Sequence, residues 1–289
     1  MSEGPPGVTD LHVHVQPWRQ LKPAALETMR RGLEDHFDRL VAMMEEPKLL
    51  LEAMDRAGVE RAGLINYPSP DVLGFTDECN AYSARYAEAA PERLLPFGGV
   101  HPRFAGDIKG HVDELLEMGI RCLKIHPPHQ LFPANAYTQG LLTLGTLYRR
   151  CQEHRLPVMV HTGTSVFPGA RCKYGRPMEL DDVAIDFPDL QIIMAHGGRP
   201  LWMDEAFFIV RRHPNVWLEL SGIPPTKVLE YFPRLEEIAD RVLWGTDWPS
   251  PGVRDMGANL ELFLGLPLPG EVKAKITTEN AWKLFPGRQ

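Results

Sequence analysis

Eight short apolar runs rich in Val, Ile and Leu are spaced along this chain, with segments of helical period between most of them. The runs are "TDLHVHV" (9–15), "RAGLINY" (61–67), "RLLPFGGV" (93–100), "RCLKIHP" (121–127), "LPVMVHT" (156–162), "LQIIMAH" (190–196), "NVWLEL" (215–220) and "RVLWGTD" (241–247). Segments such as "PKLLLEAMDRAG" and "QGLLTLGTLYRRCQEH" place apolar residues at i, i+3 and i+4, the signature of an amphipathic helix. Gly58 and Gly119 punctuate the joints into the second and fourth strands, and "FPDL" and "HPNV" read as tight turns before the sixth and seventh. An open doubly wound sheet usually has fewer strands and wants a glycine-rich turn after the first, where this chain has His-Val-His. The expected fold is therefore α/β, a (β/α)8 TIM barrel, and 289 residues suit one such domain over 1–289. Residues 16–46 are too long for one strand-to-helix loop; they read as a partly helical insertion after the first strand, either a lid or a solvated hairpin.

A net charge of −7 argues against nucleic acid as a partner, because phosphate binding relies on clustered Lys and Arg. A small-molecule substrate suits the chain better, and a homo-oligomer stays open. The four cysteines are far apart with no C-x-x-C pair, so they read as reduced thiols in a cytoplasmic protein. The opening "MSEGPPGVTD" has no basic-then-apolar leader pattern, and no apolar run approaches the roughly 18 residues of a membrane span.

His12 and His14 are two apart on a strand, so they share a face about 6.6 Å apart along it, while Val13 points the other way, toward helices. Alone, such a pair is weak evidence for a ligand site against ordinary satisfied or surface histidines. His161, His196 and Asp247 strengthen it, because each falls at the carboxyl end of another strand, on the rim where barrel enzymes assemble their sites. Neutral imidazole and carboxylate suit Zn²⁺ and similar divalent ions, and three or four such ligands plus a water make a catalytic rather than a structural site.

The motifs "DLHVHV", "LKIHPP", "VMVHTGT", "IIMAHGG" and "VLWGTDWP", with "TTENAWKLF" as a closing helix, resemble the amidohydrolase superfamily. The similarity is to the amidohydrolase-related branch that includes decarboxylases and lactonases. It implies that His12, His14, His161 and Asp247 bind a metal, that His196 hydrogen-bonds the metal water or substrate, and that Asp247 also shuttles a proton. Binuclear relatives carry a carboxylated lysine on strand four, the place of Lys124 here, but the "KIHP" context resembles the mononuclear branch. The implied cofactor is one Zn²⁺, with Mn²⁺ as the alternative and a second ion only if Lys124 is carboxylated.

Further candidates for substrate contact are Lys124, His126 and His101 near strand ends, Trp248 beside Asp247, and Arg171 and Arg176 in the basic loop "ARCKYGRP", whose guanidinium groups suit an acidic substrate. Asp10 and Glu219 are weaker candidates, and Trp217 and Trp244 read as packing residues. The expected function is hydrolysis of an amide, ester or lactone carbonyl by a metal-activated water, with His196 stabilising developing charge. The alternatives are a non-oxidative decarboxylase of an aromatic or enol carboxylic acid and a barrel that only binds a partner.

Overall fold

The computed structural model describes residues 7–33, 36–253 and 255–287. The stretch read for a leader, through residue 6, and positions 34 and 35 of the 16–46 segment lie outside the described residues. All eight expected strands form: β1 (Val8–Val13), β2 (Val59–Leu64), β3 (Leu94–Gly98), β4 (Cys122–Ile125), β5 (Val158–His161), β6 (Ile192–Ala195), β7 (Val216–Glu219) and β8 (Val242–Leu243). They pair in sequence order, each parallel to the next.

The sheet closes on itself between β8 and β1. Leu11 N donates to Trp244 O at 3.1 Å, Asp247 N to His12 O at 2.9 Å and His14 N to Trp248 O at 2.7 Å. Asp10, on β1, fastens this seam by accepting from Thr246 N at 3.0 Å and Thr246 Oγ1 at 2.6 Å, which is a folding role. The run read as strand over 241–247 pairs with β7 only over Val242–Leu243, because the backbone beyond it is bound instead by β1 and by Ile276 O. The result is a (β/α)8 barrel with its carboxyl-end rim formed by the residues just after each strand.

Alternation along the strands sorts the core. Inward-facing Leu95, Phe97, Cys122, Met159, Ile193 and Leu243 fill the barrel floor with Trp217, and Ala281 and Phe285 of the closing helical segment pack into the same cluster. Trp244 belongs to the outer layer between strands and helices.

The 16–46 segment is partly helical, as its pattern implies: α1 (Pro23–Leu33) and α2 (Phe37–Glu45) follow a short 3-10 turn at Trp18–Gln20. It leads into α3 (Pro47–Ala57), which ends at Gly58, whose φ of 69° is the left-handed cap that glycine adopts freely. Val13 faces these helices in a cluster with Trp18, Met29, Leu40 and Trp248. Tyr86 Oη donates to Met43 O at 2.7 Å and Tyr82 Oη to Met44 O, so α2 is tied to the barrel's outer wall. Among the described residues no helix is long and apolar enough to cross a membrane.

Candidate metal centre

The rim gathers His12, His14, His161, His196 and Asp247 around one cavity of about 330 Å³, within the size range of small-ligand pockets. Ring centroids of His12 and His14 are 5.2 Å apart, those of His12 and His196 4.7 Å and those of His161 and His196 4.6 Å. One ligand atom from each of His12, His196 and Asp247 falls within 4.8 Å of the other two. His196 and Asp247 have φ of 68° and 71°, left-handed values that non-glycine residues rarely adopt. Such strain costs on the order of 1–3 kcal/mol per residue and concentrates where a side chain must be aimed.

Hydrogen bonds on the far nitrogens fix how the rings point. His12 Nδ1 lies 3.0 Å from Glu219 Oε2, and because a carboxylate accepts, the ring presents Nε2 toward Asp247 Oδ1 at 3.6 Å. His196 Nδ1 lies 2.9 Å from the carbonyl of Ser221, so in its neutral form Nε2 carries the lone pair. His161 Nε2 is buried with no hydrogen-bond partner in the structure. Burial holds His12, His161 and His196 well below the ordinary imidazole range, which keeps their lone pairs available.

Asp247 divides its carboxylate. Oδ1 is 2.9 Å from His14 Nε2, while Oδ2 accepts from Arg199 Nη2 at 3.0 Å. Burial alone would raise its pKa, but the hydrogen bond to His14 and the surroundings of His12, His14 and the Arg199 guanidinium outweigh it and hold the group far below the usual carboxylate range. Arg199 is anchored in turn by donating Nε to Gly222 O at 2.6 Å. Glu219, buried on β7, is pushed up to about 7 by burial, against the hydrogen bond from Ser221 and the charge of Lys124.

This donor set fits a divalent ion: neutral imidazoles with oriented lone pairs, one unpartnered buried nitrogen, an ionised carboxylate, and carboxylate and carbonyl partners behind the ligands.

Lys124 and His126 also line the cavity. Lys124 Nζ is buried without a hydrogen-bond partner, and burial lowers its pKa to about 8 against the pull of Glu219 and Asp247. His126 stacks between His129 at 3.5 Å and His161 at 3.7 Å, a wall of imidazoles.

Four expected contacts lie elsewhere. Arg171 and Arg176 are exposed, and Arg176 pairs with Glu205 on the surface, because the loop turns its cations outward. His101 lines a separate cavity beside Phe104. Trp248 packs behind Asp247 against the cluster holding α1 and α2. Among the described residues the guanidinium that reaches the cavity is Arg199, which sequence reasoning missed, along with Ser221, Tyr67 and Ser165. Arg199 follows His196 by three residues in "HGGR", so a strand-end loop cation was the available signal.

Among solved structures, the chain resembles an uncharacterized TIM-barrel protein from Bordetella bronchiseptica, at 24% identity over 96% of this chain and 97% of that one with a TM-score of 0.75. A manganese-bound dihydroxybenzoic acid decarboxylase from Polaromonas sp. matches at 17% identity over 97% of each chain, with a TM-score of 0.69. At these identities the likeness concerns the fold. A curated relative, the 2-pyrone-4,6-dicarboxylate hydrolase of Comamonas testosteroni, is 28% identical over 155 residues, covering 40% of this chain and 51% of that protein. The match thus spans about half the length of that relative. The amidohydrolase family model matches residues 9–287, nearly the whole length, and the chain belongs to the amidohydrolase family.

Proposed function

We propose that this protein is a metal-dependent hydrolase that opens an ester or lactone carbonyl in a small carboxylated substrate. The observation that carries the reading is the divided carboxylate of Asp247, with one oxygen among oriented imidazoles and the other held by Arg199. His12, His14, His161 and Asp247 would hold one divalent ion, Zn²⁺ before Mn²⁺. When bound, the ion supplies Lewis acidity that polarises the carbonyl and acidifies water.

The residues do the rest. A water between Asp247 Oδ1 and His196 Nε2 adds through its oxygen to the carbonyl carbon and gives its proton to Asp247. Asp247 returns that proton to the leaving oxygen as the carbon–oxygen bond breaks. Since His196 gives its own N–H to Ser221 O, it acts here as a lone-pair donor rather than as a donor to developing negative charge. Arg199 holds Asp247 in place and, with Lys124, makes the cavity hospitable to an anion. Gln16 and Met29 of the 16–46 segment line the same cavity, which supports reading that segment as a lid. A cytoplasmic location accords with four free cysteines, three of them buried.

The relative's activity favours the lactone, and 2-pyrone-4,6-dicarboxylate is the first substrate to try. Loss of the pyrone absorbance with metal-loaded protein supports the reading. Carbon dioxide release from aromatic acids without any lactone opening would replace it by the decarboxylase alternative, since decarboxylases share this fold. No turnover of either kind, with tight binding to a protein partner, would leave only a binding barrel.

A further inference from the structure

Tyr67, His129 and Ser165 form a hydrogen-bonded line along the cavity wall, and the chemistry above uses none of them. Tyr67 Oη lies 2.9 Å from His129 Nδ1, and His129 Nε2 lies 2.7 Å from Ser165 Oγ. Tyr67 and His129 are 2% and 1% exposed, whereas Ser165 is half-buried at the cavity wall. His129 cannot turn freely, because His126 stacks on its ring at 3.5 Å with the planes 7° apart and Phe167 abuts it edge-on at 5.5 Å.

Hydrogen-bond accounting gives the line a direction. A neutral imidazole has one N–H and one lone pair, and burial pushes His129 down to about 3, so it is neutral at working pH. Suppose Ser165 donated to Nε2. Nδ1–H would then donate to Tyr67 Oη, and the buried phenol O–H would need another acceptor. Among the described residues that oxygen has no other hydrogen-bond partner, and an unsatisfied buried donor costs about 1–3 kcal/mol. In the opposite sense the two most buried donors are used: Tyr67 O–H donates to Nδ1, and Nε2–H donates to Ser165 Oγ. Ser165 Oγ also accepts from Phe167 N at 3.3 Å, which occupies its second lone pair. The serine hydrogen is then the one group on the line without a protein acceptor; all three residues border the cavity, but Ser165 is half-buried where Tyr67 is fully buried, so the free donor falls on the more open residue.

We propose that Ser165 is a specificity-determining residue, a hydroxyl fixed as a donor by Tyr67 and His129 and reserved for a carboxylate oxygen of the substrate. Both lone pairs being taken, an ammonium placed there finds no acceptor, so the line selects against cationic analogues, and it favours a carboxylate over a neutral amide because the hydrogen bond to a charged acceptor is the stronger. Tyr67 and His129 are positioning residues. The assignment rests on the hydrolase reading for the reaction the bound acid undergoes, but the direction of the line does not.

Two measurements test it. Long-range ¹⁵N–¹H correlation spectra of the histidine rings are expected to show His129 protonated at Nε2, and Tyr67→Phe is expected to shift it toward the Nδ1–H tautomer. An Nδ1–H tautomer in the unsubstituted protein overturns the proposal. Calorimetric titration with phthalate, glutarate and their uncharged diamides then reads the selectivity. The acids are expected to bind more tightly than the diamides, with affinity for the acids falling 10–100-fold in Ser165→Ala and about threefold or more in Tyr67→Phe, and recovering in Ser165→Thr. Equal affinity of Ser165→Ala and the unsubstituted protein, or no binding of either acid, overturns it. Ser165-dependent binding without any turnover would uphold the assignment and sink the hydrolase reading; turnover of a lactone indifferent to Ser165 would do the reverse.

Discussion

His12 Nδ1 and Glu219 Oε2 face each other at 3.0 Å inside the barrel, a contact between β1 and β7 across 207 positions of sequence. Glu219 also accepts from Ser221 N at 2.8 Å and Ser221 Oγ at 2.6 Å, so the carboxylate that aims His12 is itself aimed. Glutamine at this position keeps the volume but exchanges the charged acceptor for an amide. Glu219→Gln is expected to lower metal affinity by about 10–100-fold, the usual effect of removing a partner behind a ligand. Metal content by mass spectrometry after dialysis against a graded chelator checks this, with far-UV circular dichroism confirming the fold.

Gly222 leaves the space that the Arg199–Asp247 pair fills. With φ at 65°, a Cβ there would collide with Arg199 Nη2 and lie 2.7 Å from Asp247 Oδ2, so one of the pair would have to move. Gly222→Ala is therefore expected to push the guanidinium off the carboxylate. Displacing reacting groups by about 1 Å costs roughly 100-fold in rate, whereas the left-handed alanine costs the fold about 1–2 kcal/mol. A drop of that order in kcat/KM with a melting temperature lowered by a few degrees is the expected pair of readings.

How much of this was legible beforehand depends on what each residue's placement rests on. His12, His14, His161, His196 and Asp247 could be read because strand ends and the two-residue period decide which way they point. Glu219 was within reach by the same rule, since it shares a face with Trp217 and an acidic residue in an apolar strand requires a partner. Arg199 carried only the signal of a cation just past a strand end, because its aim depends on how the loop after β6 folds over Gly222 O. Arg171 and Arg176 misled for the same reason: a count of loop cations says nothing about which side of the loop they leave from.

Glu179 supplies a pH dependence away from the metal centre. Burial raises its pKa to about 7, opposed by the hydrogen bond from Ala134 N and by Arg176. A carboxyl whose folded pKa lies above its unfolded value of 4.5 stabilises the fold while protonated. That contribution is full below pH 4.5 and is lost as pH rises through 7. Glu179→Gln mimics the protonated form and can still accept from Ala134 N. Its urea midpoint is expected to exceed that of the unsubstituted protein at pH 8, with the gain shrinking toward pH 5. A gain independent of pH would show that Glu179 ionises normally.

Lys124 bears on the metal count proposed above. On that proposal a second ion would need this lysine carboxylated, as an anionic bridge; as an ammonium it places a positive charge in the cavity, which would repel another cation. In the structure Nζ is buried, has no hydrogen-bond partner and is drawn electrostatically toward Glu219 and Asp247, an arrangement in which a cation balances two acids. Methionine matches the lysine stem in length and fills the same space, and such volume-conserving changes cost under about 1.5 kcal/mol. Lys124→Met is thus expected to fold and to keep one metal equivalent per chain, while losing affinity for carboxylated ligands because the cavity has lost a charge. Two equivalents in the unsubstituted protein, falling to one or none in the variant, would mean that the lysine bridges two ions and that the mononuclear reading is wrong.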